Sequence, residues 1–473
     1  MNFLADIIRR RRPGPRRWSS LALAAVVVSA FAGATQVQRA AASSGPPSWP
    51  TYLFNNAHSG FQTAAQPRLG GSSKLSPGWN AHANGPVSAQ PVLANNLVYW
   101  GSWDGYERAT TLSGKAVWST FLGQTVPPTD CFPVPLGVGS TATIAVVGGR
   151  SILYVGGGDT NLYALDAMTG AVIWKTSLNT GDGTYLWSSP AVSNGFVYEG
   201  VGSAGDCPLS PGAMVQLSAQ GLVVQHTFPL VPPGCQGAGI WGSPTVDEAA
   251  GTVYFGTANA NCFPTPYANV IMELRASDLS LMSYWPVPAG PAEDFGSTPT
   301  LFTASIGGVT HQMVGMSDKS GFFYAFDRAQ PLSNGPVWSA RIDVGGDNPE
   351  AGQGPISPSA WDGTSLYVAG GNTTIAGSSC GGSVRALDPA TGNFLWQHCL
   401  SDPVLGAVSV AQGVAVVGSG RNIVVVSTSS GATRFTFQDT SSSFFFQFWG
   451  PASIAGSTIY EGNMDGTLFT LAA

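Results

Sequence analysis

Residues 162–174 read LYALDAMTGAVIW, and residues 384–396 read VRALDPATGNFLW. Each stretch is a short apolar strand, an Asp and a Thr-Gly turn, then a second strand that ends in Trp, the pattern of a β-hairpin. A single hairpin cannot bury the terminal indole, so the ring must wedge against a neighbouring copy. Weaker copies occupy residues 109–118, 215–226, 271–285, 324–338 and 424–435. The tryptophans keep step, with 56 residues from Trp118 to Trp174 and 58 from Trp338 to Trp396. Repetition at this period marks one supersecondary unit in a closed or stacked array.

The upstream half of each unit has its own signature, a Ser-Pro or similar lead-in followed by an apolar run. Examples are SSPAVSNGFVYEG from Ser188, GSPTVDEAAGTVYFG from Gly242 and SPSAWDGTSLYVAGG from Ser357. Joined to the hairpin, this makes four short strands per unit, A to D, which is a propeller blade. Lead-ins at Val87, Gly137, Ser188, Gly242, Gly296, Ser357, Gly406 and Gly450 predict an all-β, eight-bladed β-propeller of four-stranded antiparallel blades. The last unit, from Gly450 to the C-terminus, lacks its Trp strand. Residues 77–81, which contain Trp79, are expected to supply it, so that both termini close the ring and remove exposed edges. A helical solenoid is excluded because no segment sustains a 3.6-residue apolar period. The expected organisation is a signal peptide at 1–34, a lead-in segment at 35–75 and one propeller at 76–473.

Charged residues make up only 10% of the chain, Gly numbers 61 and aromatics reach 11%, as in an exported β protein. Arg9–Arg12, Arg16 and Arg17 precede an uncharged stretch of 14 residues, Leu21 to Ala34, which ends in Ala-Gly-Ala. This is a signal-peptide pattern, and the run falls short of the roughly 18 residues a bilayer span needs. A secreted, periplasmic or cell-envelope location and no stable membrane span follow. Cleavage would remove six Arg and one Asp, leaving 14 basic and 25 acidic side chains, a net of −11. Nucleic acid is then an unsuitable partner. In an oxidising compartment the six cysteines are expected to pair. Cys207 with Cys235 and Cys380 with Cys399 hold matching places in two blades and form the expected pairs, with Cys131 and Cys262 left over at the same rim.

In such a blade the B–C loops and D–A connections emerge on one rim. There they are long and varied, as in GSAGDCPLSPG from Gly202, TANANCFPTPYAN from Thr257, PAGPAEDFG from Pro288 and NTTIAGSSCGG from Asn372, whereas the opposite turns are short. Variation confined to one rim of a rigid scaffold marks a binding face. The five histidines, His58, His82, His226, His311 and His398, show no metal spacing, and neither a nucleophile elbow nor a P-loop occurs. The aromatic run FFFQFW from Phe444 reads as packing between blades.

The ALDAMTGAVIW phrase, together with WPTYLFNNAHSGF at 49–61, resembles the PQQ-dependent quinoproteins, eight-bladed propellers that bind pyrroloquinoline quinone with Ca²⁺. The same repeat also occurs in propellers without cofactor, such as outer-membrane assembly scaffolds. The resemblance extends to site motifs. GIWGSPTVDEAAGTVYFGTANANCFP at 239–264 is similar to the segment whose Trp forms the cofactor floor and whose Asn binds Ca²⁺, which implies Trp241 and Asn259. AEDFGSTPTLF at 292–302 is similar to the segment of the catalytic base, which implies Asp294 as base and metal ligand. Gly296 stands where lanthanide-dependent relatives carry a further Asp, so Ca²⁺ is the implied metal. SDKSGFFYAFDR at 317–328 resembles the segment whose Lys contacts the quinone oxygens, implying Lys319. Asp206 takes the place of the family's acidic Ca²⁺ ligand, one methylene shorter than the usual Glu. The vicinal Cys-Cys pair and the Arg near the second blade are missing. Taken on residue types alone, Trp241 also suits blade packing, Asp294 a loop cap, and residues 318–321 a polar turn.

Two functions follow as expectations. One is an exported PQQ- and Ca²⁺-dependent dehydrogenase of a small or polymeric alcohol, with an unidentified electron acceptor. The other is a non-catalytic propeller that binds protein or polysaccharide on its loop-rich rim.

Overall fold

The structure is a computed structural model that describes residues 48–64, 69, 75–128, 134–221, 223–288, 294–440 and 448–473. The expected leader, most of the lead-in, Cys131 and residues 444–447 lie outside the described residues. Eight antiparallel sheets follow one another along the chain as blades. Blade 1 comprises Val92–Ala94, Leu97–Gly101, Tyr106–Thr111 and Ala116–Phe121 as strands A to D. Blades 2 to 8 span residues 143–177, 191–229, 245–286, 300–341, 360–400, 409–438 and 453–472. Blade 8 has three strands of its own, and Ser76–Pro77 and Ala81–His82 pair antiparallel with its Thr467–Ala472. The ring therefore closes as the sequence predicts, with the N-terminal segment as the outermost strand.

The repeated phrase has a direct structural cause. Asp166 Oδ1 accepts from the backbone N–H of Met168 and Thr169, and Asp388 does the same for Ala390 and Thr391. The glycine of each turn has positive φ, for example 72° at both Gly170 and Gly392, a region that costs other residues strain. It also lies under the indole of the preceding blade. A Cβ on Gly170 would stand 2.6 Å from Trp118, and one on Gly392 would stand 2.4 Å from Trp338. Three of these indoles also donate Nε1–H to a carbonyl of the next blade: Trp118 to Ala167 at 3.0 Å, Trp338 to Pro389 at 3.0 Å and Trp396 to Thr428 at 2.8 Å, whereas Trp174 lies over Gly221 by packing alone. Trp79 repeats this contact with Leu112 at 2.8 Å across the closure, over Gly114.

The Ser, Thr and Pro residues of the lead-ins link neighbouring blades along their inner edges. Thr143 donates to Pro190 O, Thr245 to Pro299 O, Thr300 to Ser359 O and Ser357 to Gly406 O. Ser409 donates to Ala452 O and Ser453 to Pro91 O, while Gln90 N and Ser189 N donate to Thr141 and Ser243 hydroxyls. These bonds join every adjacent pair in the ring. Apolar side chains fill the spaces between blades, as where Tyr198, Phe255 and Met272 pack between blades 3 and 4. Burying such a side chain stabilises by about 1.5–3 kcal/mol.

Residues 49–62 cross the inner edges of all eight blades. Trp49 bridges Leu93 of blade 1, and Ile144 N of blade 2 donates to Pro50 O. Asn56 donates its amide to Val192 O of blade 3 and accepts from Val246 N of blade 4. Leu301 N, Trp361 N and Val410 N of blades 5 to 7 donate to Ala57 O, Ser59 O and Gly60 O. Gln62 reaches Ile454 O of blade 8. The segment meets strand A well past the D–A lead-ins, so it plugs the ring away from the loop-rich rim.

The disulfides correct one expectation. Cys380–Cys399 forms as expected, but Cys235 pairs with Cys262, and Cys207 is bonded elsewhere. The connection after blade 3 runs beside the B–C loop of blade 4, where Ala238 N donates to Asn259 O and Gln236 N to Asn261 Oδ1. For Cys235, adjacency of loops across neighbouring blades, not a matching place in another blade, determines the partner.

Candidate functional site

The residue four places before each strand A forms a ring at the rim: Ser88, Gly139, Trp187, Trp241, Gly296, Ile356, Leu405 and Trp449 in blades 1 to 8. Two glycines in this ring make room for indoles. A Cβ on Gly139 would come within 3.3 Å of Trp187, and one on Gly296 within 2.0 Å of Trp241 Cη2. Trp187 therefore rests toward blade 2 and Trp241 toward blade 5. Trp187 and Trp449 both pack edge-on against Trp103, at 5.8 and 6.0 Å between centroids.

A cavity of about 540 Å³ opens at this rim, within the usual range for ligand sites. Asp206, Trp241, Asn259, Asp294 and Lys319 all line it. Their positions come from separate elements. Asp206 and Asn259 sit on the B–C loops of blades 3 and 4, Lys319 on that of blade 5, and Trp241 and Asp294 on D–A connections. Trp187, Ile356, Leu405 and Trp449 supply the apolar wall. A second cavity, of about 610 Å³, lies at the plug and holds none of these five side chains.

The centre of the constellation is Asp294. Its Oδ2 accepts from Lys319 Nζ at 2.8 Å and its Oδ1 from Trp241 Nε1 at 3.3 Å. The backbones are joined too, since Lys319 N donates to Asp294 O at 3.0 Å. The Lys319 ammonium stands 5.1 Å from the Trp241 centroid. Both partners of the ion pair are largely buried, with 14% and 13% side-chain exposure. Burial raises the pKa of Asp294; Lys319 and Trp241 oppose this, and the charge of Asp206 adds to it. Asn259 is half-buried and held through its backbone by Ala238 N, while Asp206 is exposed.

The donor set suits a hard cation: two carboxylates and one amide oxygen facing one cavity. Asp206 and Asp294 repel across it, a repulsion that a divalent cation between them would relieve. The flat Trp241 face beside Gly296 suits a planar ring, and an Asp at 296 would collide with that indole. Among the described residues that line the cavity, Lys319 is the single cation.

Glu350 also lines the cavity and was missed by the sequence reading. It lies on a short 3-10 turn, Pro349–Ala351, on the connection between blades 5 and 6, and no local motif in DNPEAGQG signals its direction. Trp187 was missed as well, although the W-x-S-P lead-in it shares with Trp241 was a signal that could have found it.

An eight-bladed propeller with a loop-rich rim cavity places the chain among proteins built from PQQ-like repeats. The sequence profile of the PQQ_2 family, described as outer membrane protein assembly factor BamB, matches residues 73–204, 111–261 and 320–472, and the chain belongs to this family. A polyvinylalcohol dehydrogenase of Pseudomonas sp is 24% identical over 65% of this chain and 54% of its own length. Quinohemoprotein alcohol dehydrogenase of Comamonas testosteroni is 24% identical over 62% and 46%. The chain thus spans about half the length of the curated relatives it matches. Among solved structures, the Comamonas enzyme superposes with TM-score 0.70 at 15% identity, covering 90% of this chain and 80% of that one. A europium-containing methanol dehydrogenase gives 0.69 at 14% identity over 91% and 99%. BamB from Moraxella catarrhalis gives 0.57 at 14% over 85% and 100%. At these identities the superpositions establish the fold.

Proposed function

We propose that the protein is an exported quinoprotein-type dehydrogenase that oxidises an alcohol or hydroxylated polymer with PQQ and Ca²⁺. The observation that carries this reading is that Asp206, Trp241, Asn259, Asp294 and Lys319, drawn from five separate loops, line one cavity. Asp206, Asn259 and Asp294 would hold the cation, and Trp241 and Lys319 the quinone. When bound there, the quinone supplies a hydride acceptor and the cation polarises its carbonyl.

The chain's own part is proton transfer and positioning. Asp294 takes the hydroxyl proton, because burial raises its basicity while the Lys319 ammonium favours the carboxylate form. Trp241 fixes one carboxylate oxygen through its Nε1–H and offers its face as a floor. Lys319 places a donor where negative charge develops. Trp187, Ile356, Leu405 and Trp449 exclude water from the opposite wall. Export is supported by the arginine-led apolar N-terminus and by the disulfides Cys235–Cys262 and Cys380–Cys399. No helix among the described residues is long and apolar enough to cross a membrane.

One observation favours a cofactor-free scaffold instead: the single lining cation, Lys319, is already paired with Asp294. Reconstitution with PQQ and Ca²⁺, read by absorbance and thermal unfolding with and without Asn259→Ala, separates the two. Saturable uptake that the variant loses establishes the quinoprotein site. No uptake at high cofactor concentration leaves the scaffold.

A further inference from the structure

The cavity holds more negative charge than it neutralises. Asp206, Asp294 and Glu350 face one cation, Lys319, and that ammonium is bound to Asp294. Among the described residues, neither the Asp206 nor the Glu350 side chain has an ion-pair or hydrogen-bond partner. The backbone that carries Glu350 is held at the cavity. Its turn is capped by Asn348, whose Oδ1 accepts from Ala351 N, and the Asn372 amide donates to Ala351 O at 2.7 Å. Gly346 N, on the same connection, donates to Lys319 O at 2.9 Å.

The described residues contain no group of three or more His, Cys, Asp or Glu gathered closely enough to chelate a metal. Glu350 is therefore not a third acidic ligand beside Asp206 and Asp294. Carboxylates spread around a roomy cavity suit a diffuse, weakly hydrated cation. Three indoles, Trp187, Trp241 and Trp449, share the wall, and aromatic faces attract such cations through the ring quadrupole. The cavity already shows this preference internally, in the Lys319 ammonium over Trp241.

We infer that the cavity binds an organic ammonium group, with Glu350 as its specificity-determining carboxylate, and that the substrate is an alcohol carrying such a group. The substrate class rests on the dehydrogenase reading; ammonium binding does not. Glu350 lies outside the residues assigned to the metal, so its charge persists when Ca²⁺ is present.

The test is titration of the full-length protein, followed by tryptophan fluorescence, with choline and with dimethylbutanol, its neutral isostere. Choline should bind saturably and about tenfold more tightly than the isostere, and Glu350→Gln should shrink that ratio to about twofold. The variant's unfolding transition should match the parent's, since Glu350 is exposed. Equal binding of the two probes, or an unchanged ratio in the variant, overturns the inference. After reconstitution with PQQ and Ca²⁺, equal oxidation of neutral and cationic alcohols overturns the substrate class and leaves the dehydrogenase standing. Choline binding without PQQ uptake removes the dehydrogenase and leaves the ammonium site supported.

Discussion

Replacing Glu107 with Gln should make the protein more stable in mild alkali and leave it nearly unchanged in mild acid. Glu107 lies on strand C of blade 1 opposite Gly101, fully buried, and neither carboxyl oxygen has a hydrogen-bond partner. The adjacent Arg108 gives little relief, because its guanidinium is committed to Asp104. Burial pushes the Glu107 pKa from 4.5 up to about 8. A carboxyl whose folded pKa is raised holds its proton in the native state while the unfolded chain has released it. Stability is then full below the unfolded value and falls as pH rises toward the folded one. The interval from 4.5 to about 8, at about 1.36 kcal/mol per pH unit, corresponds to a loss of about 5 kcal/mol. Gln has the shape of the protonated acid but does not ionise. Urea midpoints of both proteins, measured from about pH 5 to about pH 8, should coincide at the acid end and diverge steadily, with the variant higher. Glu199 and Glu461 are also fully buried with raised pKa values, but they are present in both proteins, so their slopes cancel. Parallel curves would refute the reasoning, since they would mean that Glu107 does not titrate differently on unfolding.

Gly296→Asp places a Cβ 2.0 Å from Trp241 Cη2, which forces the indole out of its seat. It should destabilise by about 1–3 kcal/mol and shift tryptophan emission; an unchanged spectrum would show that Trp241 does not occupy this seat. Lys319→Met leaves the buried Asp294 without its cation and should raise the Asp294 pKa further. The loss, about 3–5 kcal/mol at neutral pH, should shrink as pH falls and Asp294 protonates, and a pH-independent loss would contradict it. Trp79→Ala removes the indole bonded to Leu112 at the ring closure. Trp79 is half-buried, so the loss should fall below the roughly 3–5 kcal/mol of a fully buried aromatic, and proteolysis of the N-terminal strand should precede global unfolding.

The blades were legible because each local signal in the repeat has a fixed tertiary partner. The Asp makes its turn and the glycine accepts the preceding indole, which at Trp79, Trp118, Trp338 and Trp396 also reaches the next carbonyl, so the pattern survives even where individual positions drift. The closing strand around Trp79 was legible for the same reason, since a blade without a Trp strand leaves Gly114 uncovered. The cysteine pairing was not, because it depends on which loops are adjacent across blades. Cys235 meets Cys262 through contacts such as Gln236 to Asn261, for which the repeat has no counterpart. Glu350 was hidden because its direction is set by Asn348 and Asn372, residues that carry no periodic signal.

Site and scaffold are separable within a single lead-in. The Ser, Thr and Pro residues directly before and at the start of strand A link blade to blade, and substituting any of them disturbs the ring. The residue four places before strand A makes no such repeating bond, the Trp241 to Asp294 contact being particular to the site, and it changes from Ser88 and Gly139 through Trp241 and Gly296 to Leu405 and Trp449. It points into the rim cavity in five blades. Chemistry can therefore be altered there without altering the closure, and the glycines at 139 and 296 show the one constraint that remains. The indoles of Trp187 and Trp241 each lie against a neighbour without a side chain, so Gly139 and Gly296 fix where those two rings sit. The cavity is shaped by those seats as much as by its charged groups, and its apolar wall is continuous with the aromatic packing around Trp103, since Trp187 and Trp449 belong to both.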